Sequence, residues 1–209
     1  EIFLIILLNI ILSLPAILYI FSLENFFFLR TAVPSDQLVI QDYFNFSNKI
    51  LIISSIIFFY ILPFIITKSI KINLKNTKIL LISFALLIIF SLNFNYNYDF
   101  TGGGIFFKIS YYLFNNNLIF FIVCFFSLTS ILNIFHKDVN NFILLLLLLA
   151  SNPQYTIYHK YYDPFLLILF TTLFNFKLNQ NRLFKDKTLL VFYLHIISFL
   201  ILNLLKLKI

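Results

Sequence analysis

The chain has 209 residues, of which 61% are hydrophobic and only 11% charged, and its formal net charge is +7. A water-soluble fold of this size needs a polar surface that these residues cannot supply, so lipid is the expected solvent for much of it. The apolar runs are continuous where a barrel would alternate, which predicts an all-α, polytopic transmembrane helix bundle of about seven spans.

The first run, Ile2–Leu23, is long enough to span and contains Pro15, a candidate kink. No basic stretch precedes it and no small-residue cleavage site follows, so a signal peptide is disfavoured. The sequence has no Met and opens at Glu1 directly before this run. The expectation is therefore a single transmembrane domain over residues 1–209, a fragment missing its N-terminal part. Ile50–Thr67 and Ile79–Leu92 follow as the next spans. All three glycines then fall together at Gly102, Gly103 and Gly104, ahead of Ile105–Phe114. That segment mixes Phe106, Phe107 and Tyr112 with Lys108 and Ser110 and reads as a helix lying in the interface.

Leu118–Phe135 is the next span and holds the single cysteine, Cys124, expected to be buried and inert. Phe142–Ala150 and Phe165–Phe174 are each too short to cross about 30 Å of hydrocarbon, which takes about 20 residues. They become spans only by extending into Ser151–Pro164, a Pro-interrupted helix pair, with a re-entrant pair as the alternative. Thr188–Leu205 closes the chain and carries His195, a polar ring expected to face the bundle interior.

In a soluble protein a charge of +7 would suggest nucleic acid. Here the cations sit in short loops, the mark of topology, and no nucleic-acid partner is expected. Lys68, Lys71, Lys75, Lys78, Lys137, Lys177, Arg182, Lys185 and Lys187 fall on one set of alternate loops. They outnumber Arg30, Lys49, Lys108, Lys160, Lys206 and Lys208 on the other, so the first set is placed in the cytoplasm. The long loops then face outward.

Asn152–Pro164 is the most informative outward stretch. It joins two runs too short to cross alone, and irregular backbone at that depth survives only where protein or a watery cavity shields it. His159 and Lys160 suit a phosphate or pyrophosphate head group. The plainer reading is an interfacial loop with a snorkelling Lys160 and a belt of Tyr155, Tyr158, Tyr161 and Tyr162. The glycine run reads as a flexible entry to the next segment or as an anion cradle. Asp36 and Asp42 are a carboxylate pair of the first loop that could bind a divalent cation or act as a base, or be simply solvated. No His and Cys spacing suits a metal, no nucleotide fingerprint occurs, and no cofactor is expected.

At Tyr158–Ile168 the chain reads Tyr-His-Lys-Tyr-Tyr-Asp-Pro-Phe-Leu-Leu-Ile. This resembles the Arg-Tyr-x-x-Pro segment that opens a late transmembrane helix in GT-C type membrane glycosyltransferases, with Lys160 at the Arg, then Tyr161 and Pro164. Leu14-Pro15-Ala16 and Leu29–Pro34 are similar to the early part of the dolichyl-phosphate-glucose-dependent glucosyltransferases and their bacterial relatives. The resemblance implies the C-terminal portion of a transferase that takes a sugar from a polyprenyl-phosphate donor on the non-cytoplasmic face. Its expected setting is the bacterial inner membrane, with membrane lipid and the lipid-linked sugar donor as partners. It implies donor contacts at Lys160 and Tyr161, with His159 added by proximity. The family places its essential acid in the first outward loop near the N-terminus of the complete protein, so no catalytic residue is assigned. The competing classes are a transporter or lipid flippase and a non-catalytic subunit of a membrane complex.

Overall fold

The computed structural model describes Leu14 and residues 45–98, 102–135, 138–150, 157–159, 162, 166, 169, 173–174 and 185–206. All but Leu14 belong to one compact unit, Asn45–Asn152 with Thr156–Ile209. The regular elements among the described residues are six helices: α1 Phe46–Ile66, α2 Thr77–Leu92, α3 Gly104–Phe114, α4 Leu118–Phe135, α5 Val139–Ala150 and α6 Asp186–Lys206. Two of them, α1 and α4, are long and apolar enough to cross a membrane. The predicted Ile2–Leu23 and most of Phe165–Phe174 lie outside the described residues.

Short polar side chains start these helices by satisfying amides that no intrahelical carbonyl reaches. Asn45 accepts from the Ser47 and Asn48 amides at 3.0 and 3.2 Å. Asn116 accepts from Leu118 at 3.1 Å and Asp138 from Asn140 at 2.9 Å. At the end of α1, Lys68 takes the left-handed conformation (φ 55°), and the Ser69 and Lys68 amides return to the Phe64 and Ile65 carbonyls. That is the Schellman closure, here made without glycine.

The α1–α4 contact is built on small residues. Cys124 Sγ donates to the Leu51 carbonyl at 3.5 Å, and Ser127 Oγ donates to the Ser54 carbonyl. Such side chains let two backbones approach where lipid offers no hydrophobic force for pairing. Donor and acceptor both advance by three residues, so α1 and α4 run parallel. Cys124 is fully buried, as expected.

The start of α1 meets the end of α2 through asparagines. Asn45 Nδ2 donates to the Asn93 carbonyl at 3.0 Å, and both Asn45 Nδ2 and Asn48 Nδ2 donate to Asn95 Oδ1 at 2.7 Å. Phe64 packs on Phe192 and Phe59 on Phe199 (ring centroids 4.9 and 5.4 Å), so α6 runs antiparallel to α1. At the opposite end the Asn73 amide donates to Asn133 Oδ1 near the close of α4, at 3.2 Å. One end of the unit is thus rich in asparagine. The other carries Lys68, Lys71, Lys75, Lys78, Lys185 and Lys187.

Helix α3 has 11 residues, about 16 Å of rise, too little to cross a bilayer. The sequence suggested a helix along the interface, whereas the structure starts α3 inside the bundle. A Cβ built on Gly104 would lie 3.3 Å from Ile56 Cγ1 and 3.7 Å from Ile52 Cγ2, both in the body of α1. The far end returns to the asparagine-rich end, where Ser110 Oγ donates to the Asn116 carbonyl at 2.8 Å and accepts from the Phe120 amide at 3.0 Å. The chain between α2 and α4 therefore enters and leaves by the same end, as the parallel order of α1 and α4 requires.

Candidate functional site

Irregular backbone buried among helices must find partners for its amides and carbonyls. Gly102, Gly103 and Gly104 all have positive φ (100°, 85° and 76°), a run that side chains would oppose. The Gly103 amide donates to the Ile157 carbonyl at 2.8 Å, and the Ile157 amide donates to the Tyr96 hydroxyl at 3.3 Å. Gly102 comes so close that a Cβ would sit 2.7 Å from the Ile157 oxygen. The Gly103 amide, one of those expected to cradle an anion, is bonded to the Ile157 carbonyl. The run grips the segment that leads into His159.

His159 is thereby set beside α1. Its Nε2 lies 3.1 Å from the Tyr60 hydroxyl, and its ring meets Phe59 edge-on at 5.2 Å. Phe199 of α6 approaches the same imidazole at 5.4 Å. Phe59 is 13 residues into α1, about 20 Å from its start and about 10 Å from its end. The site is therefore deep in the helix pair and nearer its Lys-rich end than its asparagine-rich one, whereas the sequence reading placed this stretch in an outward loop at the opposite end.

His195 arrives at the same ring from α6. Its imidazole lies 4.2 Å from Phe59, tilted by 36°. Pro63 has no N–H, so the Phe59 carbonyl four residues earlier loses its intrahelical partner in the turn that this ring packs against. The His195 Nε2 is buried and has no hydrogen-bond partner among the described residues. Burying such an atom unsatisfied costs about 1–3 kcal/mol.

His159 and His195, far apart in the sequence, thus both lie against the Phe59 ring. Lys160 and Tyr161, Asp36 and Asp42 lie outside the described residues. Tyr60, Phe59 and Phe199 had no sequence signal of their own, although Pro63 within a span marks where a carbonyl of α1 would seek an outside donor. Among the described residues, no three of His, Cys, Asp or Glu converge to hold a metal.

No protein-family model, no curated protein and no solved structure matches the chain.

Proposed function

We propose that the chain is an integral membrane protein and the later portion of a transferase using a polyprenyl-phosphate sugar, with His159 at the donor phosphate and Lys160 and Tyr161 beside it. About seven spans, with the Lys-rich end in the cytoplasm, complete this reading. The observation that carries it is the placement of His159: a partly buried imidazole, hydrogen-bonded to Tyr60, just after irregular backbone anchored by the glycine run. An imidazole so held donates to a phosphate oxygen without first being ordered, which favours affinity. The two apolar helices and the lysines gathered at one end fit a membrane setting.

The test is photo-crosslinking of the full chain in lipid nanodiscs with a polyprenyl phosphate bearing a diazirine. Capture is expected at residues 157–164, falling about tenfold when His159→Ala and Lys160→Ala are combined, a loss of about 1.4 kcal/mol. Capture elsewhere, or none, sinks this reading.

A transporter or flippase of the same lipid class is the second reading, favoured by a different observation. Two irregular segments, at Gly102–Gly103 and Ile157, meet deep inside the bundle, and interrupted segments at depth point to a substrate site in transporters. Movement of a fluorescent polyprenyl phosphate between leaflets of reconstituted vesicles, without sugar transfer, would select it.

A further inference from the structure

The Lys-rich end of the unit holds a cavity that the site around Phe59 does not use. It opens where α1 ends and α6 begins and has a volume of about 750 Å³. Its walls include Ile66 and Thr67 from α1, and Lys185, Asp186, Lys187 and Val191 from α6. The antiparallel packing of the two helices, with Phe64 on Phe192, brings these ends together. The lining is graded along the helix axis. Lys185 and Lys187 are exposed at the start of α6, whereas Val191 lies five residues beyond Asp186, about 7.5 Å of rise. Ile66, the last residue of α1, is apolar yet 58% exposed. The cavity is therefore cationic at its mouth and apolar along its wall. The Thr67 hydroxyl already donates to the Pro63 carbonyl at 2.9 Å and offers no hydrogen to a ligand. Asp186 leaves these residues with one net positive charge, and its place in the first turn of α6 suits the helix dipole. The same end carries Lys68, Lys71, Lys75 and Lys78, with Asp138 as the one further acid among the described residues.

We propose that this cavity seats one anionic phospholipid of the leaflet at the Lys-rich end. Its phosphodiester lies at Lys185 and Lys187, and the first carbons of its acyl chains run along Ile66 and Val191. Free phosphate would meet the cations alone and leave the apolar wall uncovered; a phospholipid matches both. Basic pockets between membrane helices suit such head groups, and the volume is in the range of small-molecule sites. The assignment rests on the membrane setting and not on the transferase reading, since Ile66 lies about 10 Å of rise beyond Phe59. With walls from two helices, the bound lipid ties the start of α6 to the end of α1 and raises the melting temperature.

The test measures binding of phosphatidylglycerol, phosphatidylcholine and inorganic phosphate to the full chain in detergent micelles, by native mass spectrometry and thermal shift. Wild type is expected to retain one phosphatidylglycerol in preference to phosphatidylcholine, and inorganic phosphate should neither displace it nor raise the melting temperature. Combining Lys185→Gln and Lys187→Gln should weaken phosphatidylglycerol binding about thirtyfold. Ile66→Trp, which crowds the wall with every charge kept, should weaken it about tenfold. Combining Lys71→Gln and Lys75→Gln removes the same charge from the same end outside the cavity, and should change binding less than about threefold. Equal losses in the two lysine pairs would make the attraction a property of the whole basic end and overturn the seat. Unchanged binding by Ile66→Trp, no preference over phosphatidylcholine, or displacement by inorganic phosphate would overturn the phospholipid as occupant, and each leaves the transferase reading standing. Release of the chain from membranes by alkaline carbonate would overturn the membrane setting and both readings with it.

Discussion

Replacing Gly102 by Ala puts the contact between the glycine run and His159 to its most direct test. The new Cβ would lie 2.7 Å from the Ile157 oxygen, 3.1 Å from the Ile157 carbonyl carbon and 3.1 Å from the Tyr96 hydroxyl. The first two obstacles are backbone, so no rotamer change relieves them. The residue also keeps φ near +100°, and the left-handed region alone costs an L side chain about 1–2 kcal/mol. Relief comes by moving Ile157 away, which breaks the 2.8 Å bond from Gly103 and the 3.3 Å bond to Tyr96. Two buried polar pairs left open cost about 1–3 kcal/mol each. The total, about 3–8 kcal/mol, exceeds what local release of residues 157–159 requires, so the segment peels off while the helices stay packed. Gly104→Ala is the control. Its Cβ meets side-chain atoms alone, Ile56 Cγ1 at 3.3 Å and Ile52 Cγ2 and Ile56 Cδ1 at 3.7 Å, so the cost stays near the strain of its positive φ, about 1–2 kcal/mol. Amide hydrogen exchange of the full chain in nanodiscs reads the difference. Gly102→Ala should strip protection from the Ile157 amide, and Gly104→Ala should leave most of it. Equal protection in the two variants would refute the idea that the glycine run seats His159.

Tyr60→Phe removes one hydrogen bond, and about 1 kcal/mol of thermal stability should go with it, together with faster diethyl pyrocarbonate modification of His159. Unchanged reactivity would mean that Tyr60 does not orient the ring. Pro63→Ala returns an N–H to α1 that can bond the Phe59 carbonyl, which should raise thermal stability by about 1 kcal/mol. A melting temperature at or below that of wild type contradicts it. Ser127→Ala should cost only about 0.6 kcal/mol, whereas Ser127→Leu drives α1 and α4 apart and should cost several times more. Melting both variants in one detergent ranks them, and a tolerated Leu would remove the small-residue account of this pair. For sidedness, Lys71→Cys and Lys185→Cys should label with an impermeant maleimide from one face and Asn116→Cys from the other, while buried Cys124 stays silent in all three.

The helices were the legible part of the sequence, and the reason is that lipid-facing and bundle-facing positions are both apolar. Leu118–Phe135 is bounded identically in sequence and structure, while α1 begins four residues before the expected Ile50. Those four are Phe46, Ser47, Asn48 and Lys49, and Asn48 is buried because Asn95 pairs with it. A hydropathy reading discards such residues as loop. The asparagine abundance, which looks like compositional bias, hides caps and the α1–α2 clasp within it. The same limit governed the site. The glycine run could be recognised as a place where backbone rules change, but the partner it required came from elsewhere in the chain. No local pattern names Ile157 as the mate of Gly103, or brings the His159 and His195 rings to Phe59.

The seat of His159 has its origin in backbone that cannot complete its own hydrogen bonds inside a helix, at Gly102 and Gly103 ahead of the body of α3. Where water is scarce such groups recruit donors and acceptors from neighbouring segments, since leaving them open costs several kcal/mol each in hydrocarbon. The recruited segment leads into His159, whose ring rests against Phe59 and Tyr60. Crowding Gly102 therefore loosens His159 although the substitution touches no imidazole. A chain in which Gly102→Ala left His159 as slow to react with diethyl pyrocarbonate as in wild type would owe its site to side-chain packing around Phe59.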